Sequence, residues 1–333
     1  MQLIAPLIAL SLFTFSAGEV REVALTAAVP EAGSARRTAC TVTVELAGDT
    51  LEVEMNGSPV PAQFLPKLDF SMADERSLAV VDVHDADGWV RAYDEVEWTN
   101  AGSMEMDGGG SVESFPWSSN ARTAIEGRKV RFERCADAAT GFADGRDGDA
   151  AALEGLRVEL GLAELLPSES MAIGDTWTVE GDALDVLFEP GGDLAYELDP
   201  EAASYLQREE RSRAYTGSLT MRLASVEDGV ARCEIEGEIA RVTVHDGDLT
   251  QVPVVDGTAT ETVTATWEVA GTLDWLVDEH RPARLELAGA LHEESVTLRD
   301  EDQPGPTYRS VFRADGEREL RIVCEALDAD KAR

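Results

Sequence analysis

Lysine is almost missing from this chain. Of 28 basic side chains only Lys67, Lys129 and Lys331 are lysines, and acidic residues number 65. A formal charge of −37 repels phosphate backbones and anionic lipid, which argues against nucleic acid and acidic membrane surfaces as partners. Histidine is equally scarce. His84, His245, His280 and His292 lie far apart, mostly beside turn signals, and read as solvated turn residues rather than as a metal site. The four cysteines, Cys40, Cys135, Cys233 and Cys324, form no C-x-x-C pair, which removes zinc-ribbon and thioredoxin-like chemistry. There is no G-x-S-x-G turn to expose a serine nucleophile and no phosphate-wrapping G-x-x-x-x-G-K-[ST] loop. His292 opens an HEES segment with no second histidine, so the two-histidine zinc helix is absent as well. Nothing in the sequence asks for a cofactor.

Charge is also absent from residues 1–18, MQLIAPLIALSLFTFSAG, which include an apolar run from Leu3 to Phe15 followed by small residues. That pattern predicts a secretory signal cleaved after Gly18, with Ser16 at −3. The missing Lys or Arg near Met1, and Pro6, depart from the usual form. The run is shorter than the ~20 apolar residues of a spanning helix. No comparable run follows, so the mature chain is expected to have no transmembrane helix. The expected location is periplasmic or extracellular.

Alternation dominates the rest. TVTVEL, AGD and LEVEMNG (38–56) read as a hairpin, and SLAVVDVHDADGWVRAYDEV as a second one turning at Asp87-Gly88. RKVRFERC (128–135) reads as one more strand, and the Gly/Asp-rich stretch 136–150 as a linker. Helical signals follow at 150–167, at DALDVLF (182–188), and at DPEAASYLQREERSRAY (199–215), where Asp199 and Pro200 suit a helix start. Strands then return, with turns expected at Asp228-Gly229, at 279–282 and at Asp315-Gly316. The expected fold is mainly β: antiparallel curved sheets or sandwich-like halves with a few connecting helices. The expected division is a signal at 1–18, a β-rich domain at 19–140, a linker and helical connection at 141–214, and a second β-rich domain at 215–333. DADGWVRAY and DEHRPARLE place Asp85 and Asp278 six residues before Arg91 and Arg284, a faint likeness between the two halves.

Two segments, LLPSESMAIGDTWTV (165–179) and GTLDWLVDEHRPARLEL (271–287), resemble parts of uncharacterised bacterial exported β-rich proteins. The resemblance covers under a tenth of the chain. It implies a style of fold and no activity, and it carries over no functional residue.

Three chemistries remain to weigh. Asp85, Asp87, Gly88 and Asp94 occupy positions three, five, six and twelve of a calcium loop, but Val83 stands at position one and the flanks are strands, so Asp-Gly turn chemistry is the better reading. Paired carboxylates could hydrolyse a glycoside, with the six tryptophans as stacking platforms; among so many acids the sequence singles out no pair, and tryptophan packing on a sheet face is commoner. The cysteines of an exported protein suggest disulfides. The simplest pairing is Cys40–Cys135 and Cys233–Cys324, with buried free thiols as the alternative. The expected function is a non-enzymatic binding or scaffold protein of the cell envelope, its partner an unknown envelope protein or an apolar ligand. The alternative is a secreted carboxylate-dependent hydrolase.

Overall fold

The computed structural model describes residues 22–28, 30–109, 111–134, 138–158, 160, 162–197, 209–248, 258–299 and 306–328. The signal segment and Cys135 lie outside them. Among the described residues, fourteen strands build one antiparallel sheet that does not close into a barrel. They are β1 (Ala35–Met55), β2 (Ser58–Pro59), β3 (Lys67–His84), β4 (Gly88–Asp107), β5 (Val112–Thr123), β6 (Lys129–Glu133) and β7 (Ala139–Phe142), then β8 (Thr176–Glu180), β9 (Tyr196–Glu197), β10 (Glu209–Glu227), β11 (Val230–Asp248), β12 (Thr258–Leu276), β13 (Arg281–Arg299) and β14 (Tyr308–Leu327). The spatial order is β7-β6-β4-β3-β1-β14-β13-β12-β11-β10-β8, with β5 beside β4 and β2 beside β1.

Period-two alternation is what makes these strands. On β1, Cys40, Val42, Val44 and Leu46 are buried while Thr41, Thr43 and Glu45 turn the other way. Register carries the pattern across the sheet. Leu78, Cys40, Ile322, Leu285, Leu273, Cys233 and Leu223 stand opposite one another on β3, β1, β14, β13, β12, β11 and β10, and all seven are buried. Each large apolar side chain in such a row contributes about 1.5–3 kcal/mol on burial.

The two strand blocks are joined in one sheet, because the first and last long strands pair antiparallel from Ala35↔Leu327 to Met55↔Tyr308. Two expected turns vanish in that pairing. β1 and β14 each run straight through their AGD and Asp315-Gly316 signals, which lie side by side as Leu46↔Gly316 and Ala47↔Asp315. A bulge between Ala47 and Thr50 absorbs the extra residues. Gly48 suits it: a Cβ there would sit 2.4 Å from the Arg313 carbonyl oxygen. The Asp228-Gly229 turn forms as expected, with φ of 51° and 78°, the left-handed pair of a two-residue hairpin.

The packed face is covered by the chain itself. Residues 150–194 cross it with 3₁₀ turns at Ala150–Leu153, Ala163–Leu165 and Gly181–Leu184 and one short helix, α1 (Asp185–Phe188). Leu153, Leu156, Leu165, Leu184, Leu187 and Phe188 are buried against the sheet. The helix expected at 182–188 is this element. The one expected at 150–167 does not form, because positive φ at Gly155 (78°) and Leu162 (55°) interrupts any helical run. Of the helix expected at 199–215, residues 199–208 lie outside the described residues and 209–215 are strand. There Ser212 and Ala214 pair with Val244 and Val242, so sheet pairing overrides local helix propensity. The expected linker also contributes β7, which extends the sheet beside β6.

Candidate functional site

The polar end of the packed face lies where β3 turns into β4. Asp85 makes the turn: its Oδ1 accepts the N–H groups of Asp87 and Gly88, both at 2.9 Å. Its carboxylate also pairs with Arg131, which holds it well below the usual carboxylate range. Asp85 is thus a turn residue with an arginine partner. Among the described residues, no group of three His, Cys, Asp or Glu is placed to hold a metal ion.

Register then assembles the site. Asp82 stands opposite Arg91 on β4 and opposite Arg36 on β1, and His84 stands opposite Trp89. Thr38 stands opposite Cys324, with Oγ1 3.7 Å from Sγ. Arg91 is 1% exposed. It gives Asp82 a two-pronged ion pair, Nε to Oδ1 at 2.7 Å and Nη2 to Oδ2 at 3.0 Å. Its remaining reach goes to the covering segment, Nη1 to the Arg157 carbonyl at 2.6 Å and Nη2 to that of Val158 at 3.0 Å.

These groups surround a cavity of about 70 Å³. Its walls are the strand side chains Arg36, Thr38, Asp82, His84, Trp89, Arg91 and Cys324 and, from the turn after β6, Arg134, closed by Pro30 from the N-terminal segment and by Val158 and Leu160 from the cover. The N-terminal segment is fixed there by a bond from the Gly33 N–H to the His84 carbonyl at 2.8 Å. His84 is buried, which corrects its expectation as a solvated turn residue. Burial pushes its pKa below the ordinary histidine value; Asp82 pulls upward, while Arg36, Arg91 and Arg134 push further down. Trp89 stacks on Phe132 at 5.4 Å between centroids, and its buried Nε1 has no hydrogen-bond partner among the described residues.

A second polar group sits mid-sheet. Asp74 is 6% exposed and accepts from Arg76 Nε at 3.1 Å, from Asn100 Nδ2 at 3.0 Å and from Trp98 Nε1. Arg318, one strand beyond Val44, is buried, and among the described residues no carboxylate bonds it. It donates to the carbonyls of Leu187 and Phe188 at 3.2 and 2.9 Å and lies 5.3 Å from the Phe188 and Trp267 ring centroids. Burial, with Arg241 and Arg76 nearby, pushes its pKa down to about 9.

Cys233 and Cys324 do not form the pair that spacing suggested. Cys40, Cys233 and Cys324 are buried free thiols. Cys233 on β11 and Cys324 on β14 have β12 and β13 between them, a span of roughly 14 Å at the usual strand spacing, beyond the ~7 Å reach of a disulfide. The pairing Cys40–Cys135 falls on a residue outside those described. Cys324 lines the cavity, and Cys40 lies diagonally beside it. Burial pushes Cys40 and Cys233 up to about 12 and raises Cys324 too, so all three stay protonated. Of the other expected candidates, His280 meets Thr26 at 3.1 Å and His292 meets Asp315 at 2.5 Å, both at the surface. Trp267 and Trp275 are fully buried in the core.

Sequence reasoning missed Asp82, Arg134 and Arg318, and met Arg91 only through its spacing from Asp85. Counting outward from the turn would have paired Asp82 with Arg91. In the other half, Asp274 likewise faces Arg284, but Asp274 bonds Arg232 and Arg284 bonds Glu286, so the likeness ends at the register.

No family model and no curated protein matches the chain. Among solved structures, a partial match is the InvG secretin domain beta-barrel from the Salmonella SPI-1 injectisome. It has 10% identity over 88% of this chain and 63% of that one, with a TM-score of 0.14. Another is Pseudomonas aeruginosa OccK11 (OpdR), with 7% identity over 91% and 100% and a TM-score of 0.13. The chain spans less than two thirds of the secretin-domain chain. TM-scores this low carry no shared fold, and nothing those proteins do passes to this one.

Proposed function

We propose that this is an exported, non-enzymatic binding or scaffold protein of the cell envelope whose partner is another protein. The observation that supports the reading is the self-filled packed face: residues 150–194 lay their leucines and Phe188 over the apolar rows where an apolar ligand would lie. The buried carboxylates point the same way. Asp82 is neutralised by Arg91 and Asp74 by three donors, whereas glycoside hydrolysis needs one carboxyl free to hold a proton and a second free to attack or activate water. Export rests on residues 1–18, with Glu19 as the mature N-terminus, in the periplasm or the medium.

The protein isolated from the exported fraction tests this reading. Native mass spectrometry should return the polypeptide from Glu19 alone, and passage over a delipidating resin should leave its melting midpoint unchanged. A co-purifying lipid whose removal lowers the midpoint would overturn it in favour of a lipid carrier. Glycan hydrolysis abolished by Asp74→Asn would overturn it in favour of the hydrolase.

A further inference from the structure

We propose that the far end of the sheet, opposite the β3–β4 turn, is a docking surface for a basic amphipathic segment of a second protein, with Phe64 and Val112 as its apolar anchors. This rests on the scaffold reading and deepens it, by naming where the partner protein sits and what chemistry it presents.

Exposure is the first argument. Among the described residues the large apolar side chains left in solvent include Phe64 (72% exposed) and Val112 (62%), and both lie at this end. Register places them together. Val112 stands opposite Asp107, Asp107 stands opposite Lys67, and Phe64 comes three residues before Lys67. A single exposed apolar side chain is ordinary, but this one is built in. Residues 56–66, NGSPVPAQFLP, carry no charge in a chain that is 28% charged. The loop is tied down by Ser58 and Pro59 pairing with Met55 and Glu54. The Val60 N–H donates to the Val53 carbonyl at 2.8 Å and the Phe64 N–H to that of Pro61 at 2.9 Å. Pro59, Pro61 and Pro66 restrict the backbone further. An aromatic side chain presented this rigidly loses little freedom on binding, which makes it an efficient anchor.

The sheet face beside the loop continues the patch. Leu68 stands opposite Met106, and Met104 opposite Phe115, on the face that carries the core rows. All four stay half-buried, whereas Leu78 and Val96 further along the same strands are closed over. Unbranched thioethers adapt readily to a partner's shape. Charge then chooses the occupant. Asp69, Glu105, Asp107 and Glu113 collar the patch with Lys67 as the opposing charge, and among the described residues none of the four carboxylates makes an ion pair. Nearby, by contrast, Glu54 and Glu52 are matched by Arg309 and Arg313. An unmatched acidic collar around an apolar centre complements Lys or Arg flanking leucine or aromatic side chains. A second copy of this chain, also at −37, and an anionic bilayer would both meet like charge.

Calorimetry would compare a Leu/Lys peptide, its leucines at helical spacing, with the same peptide carrying Glu in place of Lys. Saturable binding of the Lys peptide alone supports the surface, provided that Phe64→Ser with Val112→Ser, and separately Glu105→Gln with Glu113→Gln, each weaken it roughly fivefold or more. Two controls make comparable changes elsewhere. Ile173→Ser removes a side chain that is 57% exposed beside β10, where Gly174 bonds Leu223, and Glu236→Gln with Glu238→Gln removes two charges from β11. Both controls should leave affinity unchanged, and melting midpoints verify that every variant is folded. No saturable binding tighter than about 1 mM, equal binding of the Glu peptide, or equal weakening by the controls overturns the proposal. So does partition onto neutral phosphatidylcholine vesicles, or a dimer in sedimentation, that Phe64→Ser abolishes; the first would assign this end to a membrane and the second to another copy of the chain. The lipid-free mass and the delipidated midpoint, on which the scaffold reading is judged, do not depend on any of these results, so the two fail separately.

Discussion

Asp82 and Arg91 face each other across the β3–β4 hairpin and share two hydrogen bonds, 2.7 and 3.0 Å long, while the same guanidinium holds the carbonyls of Arg157 and Val158. One buried cation thereby joins the sheet to its cover. Arg91→Met leaves Asp82 buried and unmatched and should destabilise the protein by about 3–5 kcal/mol. Asp82→Asn with Arg91→Met should recover a large part of that loss. A double-mutant cycle from urea unfolding measures the coupling; additive losses would show that the pair does not act as a unit.

Stability should fall on mild acidification through His84. Its folded-state pKa lies below the unfolded value near 6.5 because of burial, with Arg36, Arg91 and Arg134 adding to the effect and Asp82 opposing it. Below about pH 6.5 the unfolded chain binds the proton first, so this contribution is complete above that pH and is lost as pH drops through the folded pKa. His84→Gln should flatten the stability curve between pH 6.5 and 5 relative to the parent. An unchanged slope would assign that acid sensitivity to other groups.

Cys40, Cys233 and Cys324 should resist alkylation in the folded protein, since all three are buried and hold their protons. In denaturant without reductant all three should react at once, and peptide mapping locates the label. A disulfide-linked peptide joining Cys233 to Cys324 would contradict the strand order.

Arg318 fastens α1 to the sheet through two carbonyls. Arg318→Met removes a buried charge that no carboxylate bonds among the described residues, so the global midpoint should move by only a few degrees, because such replacements are often neutral or stabilising. The carbonyls of Leu187 and Phe188 lose their donor, so amide hydrogen exchange should rise across 184–189 and nowhere else. Uniform faster exchange over the sheet would mean that Arg318 supports the core as a whole.

The sequence pattern alone determined the β class, the inward phase of Cys40, Cys233 and Cys324, and the turns at Asp87-Gly88 and Asp228-Gly229, because side-chain period, the Asp85 side chain's bonds to its own turn, and the left-handed pair at 228–229 are local properties. The short helix at Asp185–Phe188 was legible for the same reason. Tertiary structure decided what depends on the neighbouring strand. The AGD and Asp315-Gly316 signals resemble turns in isolation; paired side by side on β1 and β14, they become one bulge within two continuous strands. The leucines of 150–167 have helical spacing, yet they serve as an extended cover, because the sheet offers them apolar rows and Gly155 and Leu162 break the helix. The candidate site is wholly of this second kind. Arg36, Asp82 and Arg91 come from three strands and Arg134 from the turn after β6, and an arginine's meaning depends on whether a carboxylate lies within reach, which only the register of those strands fixes.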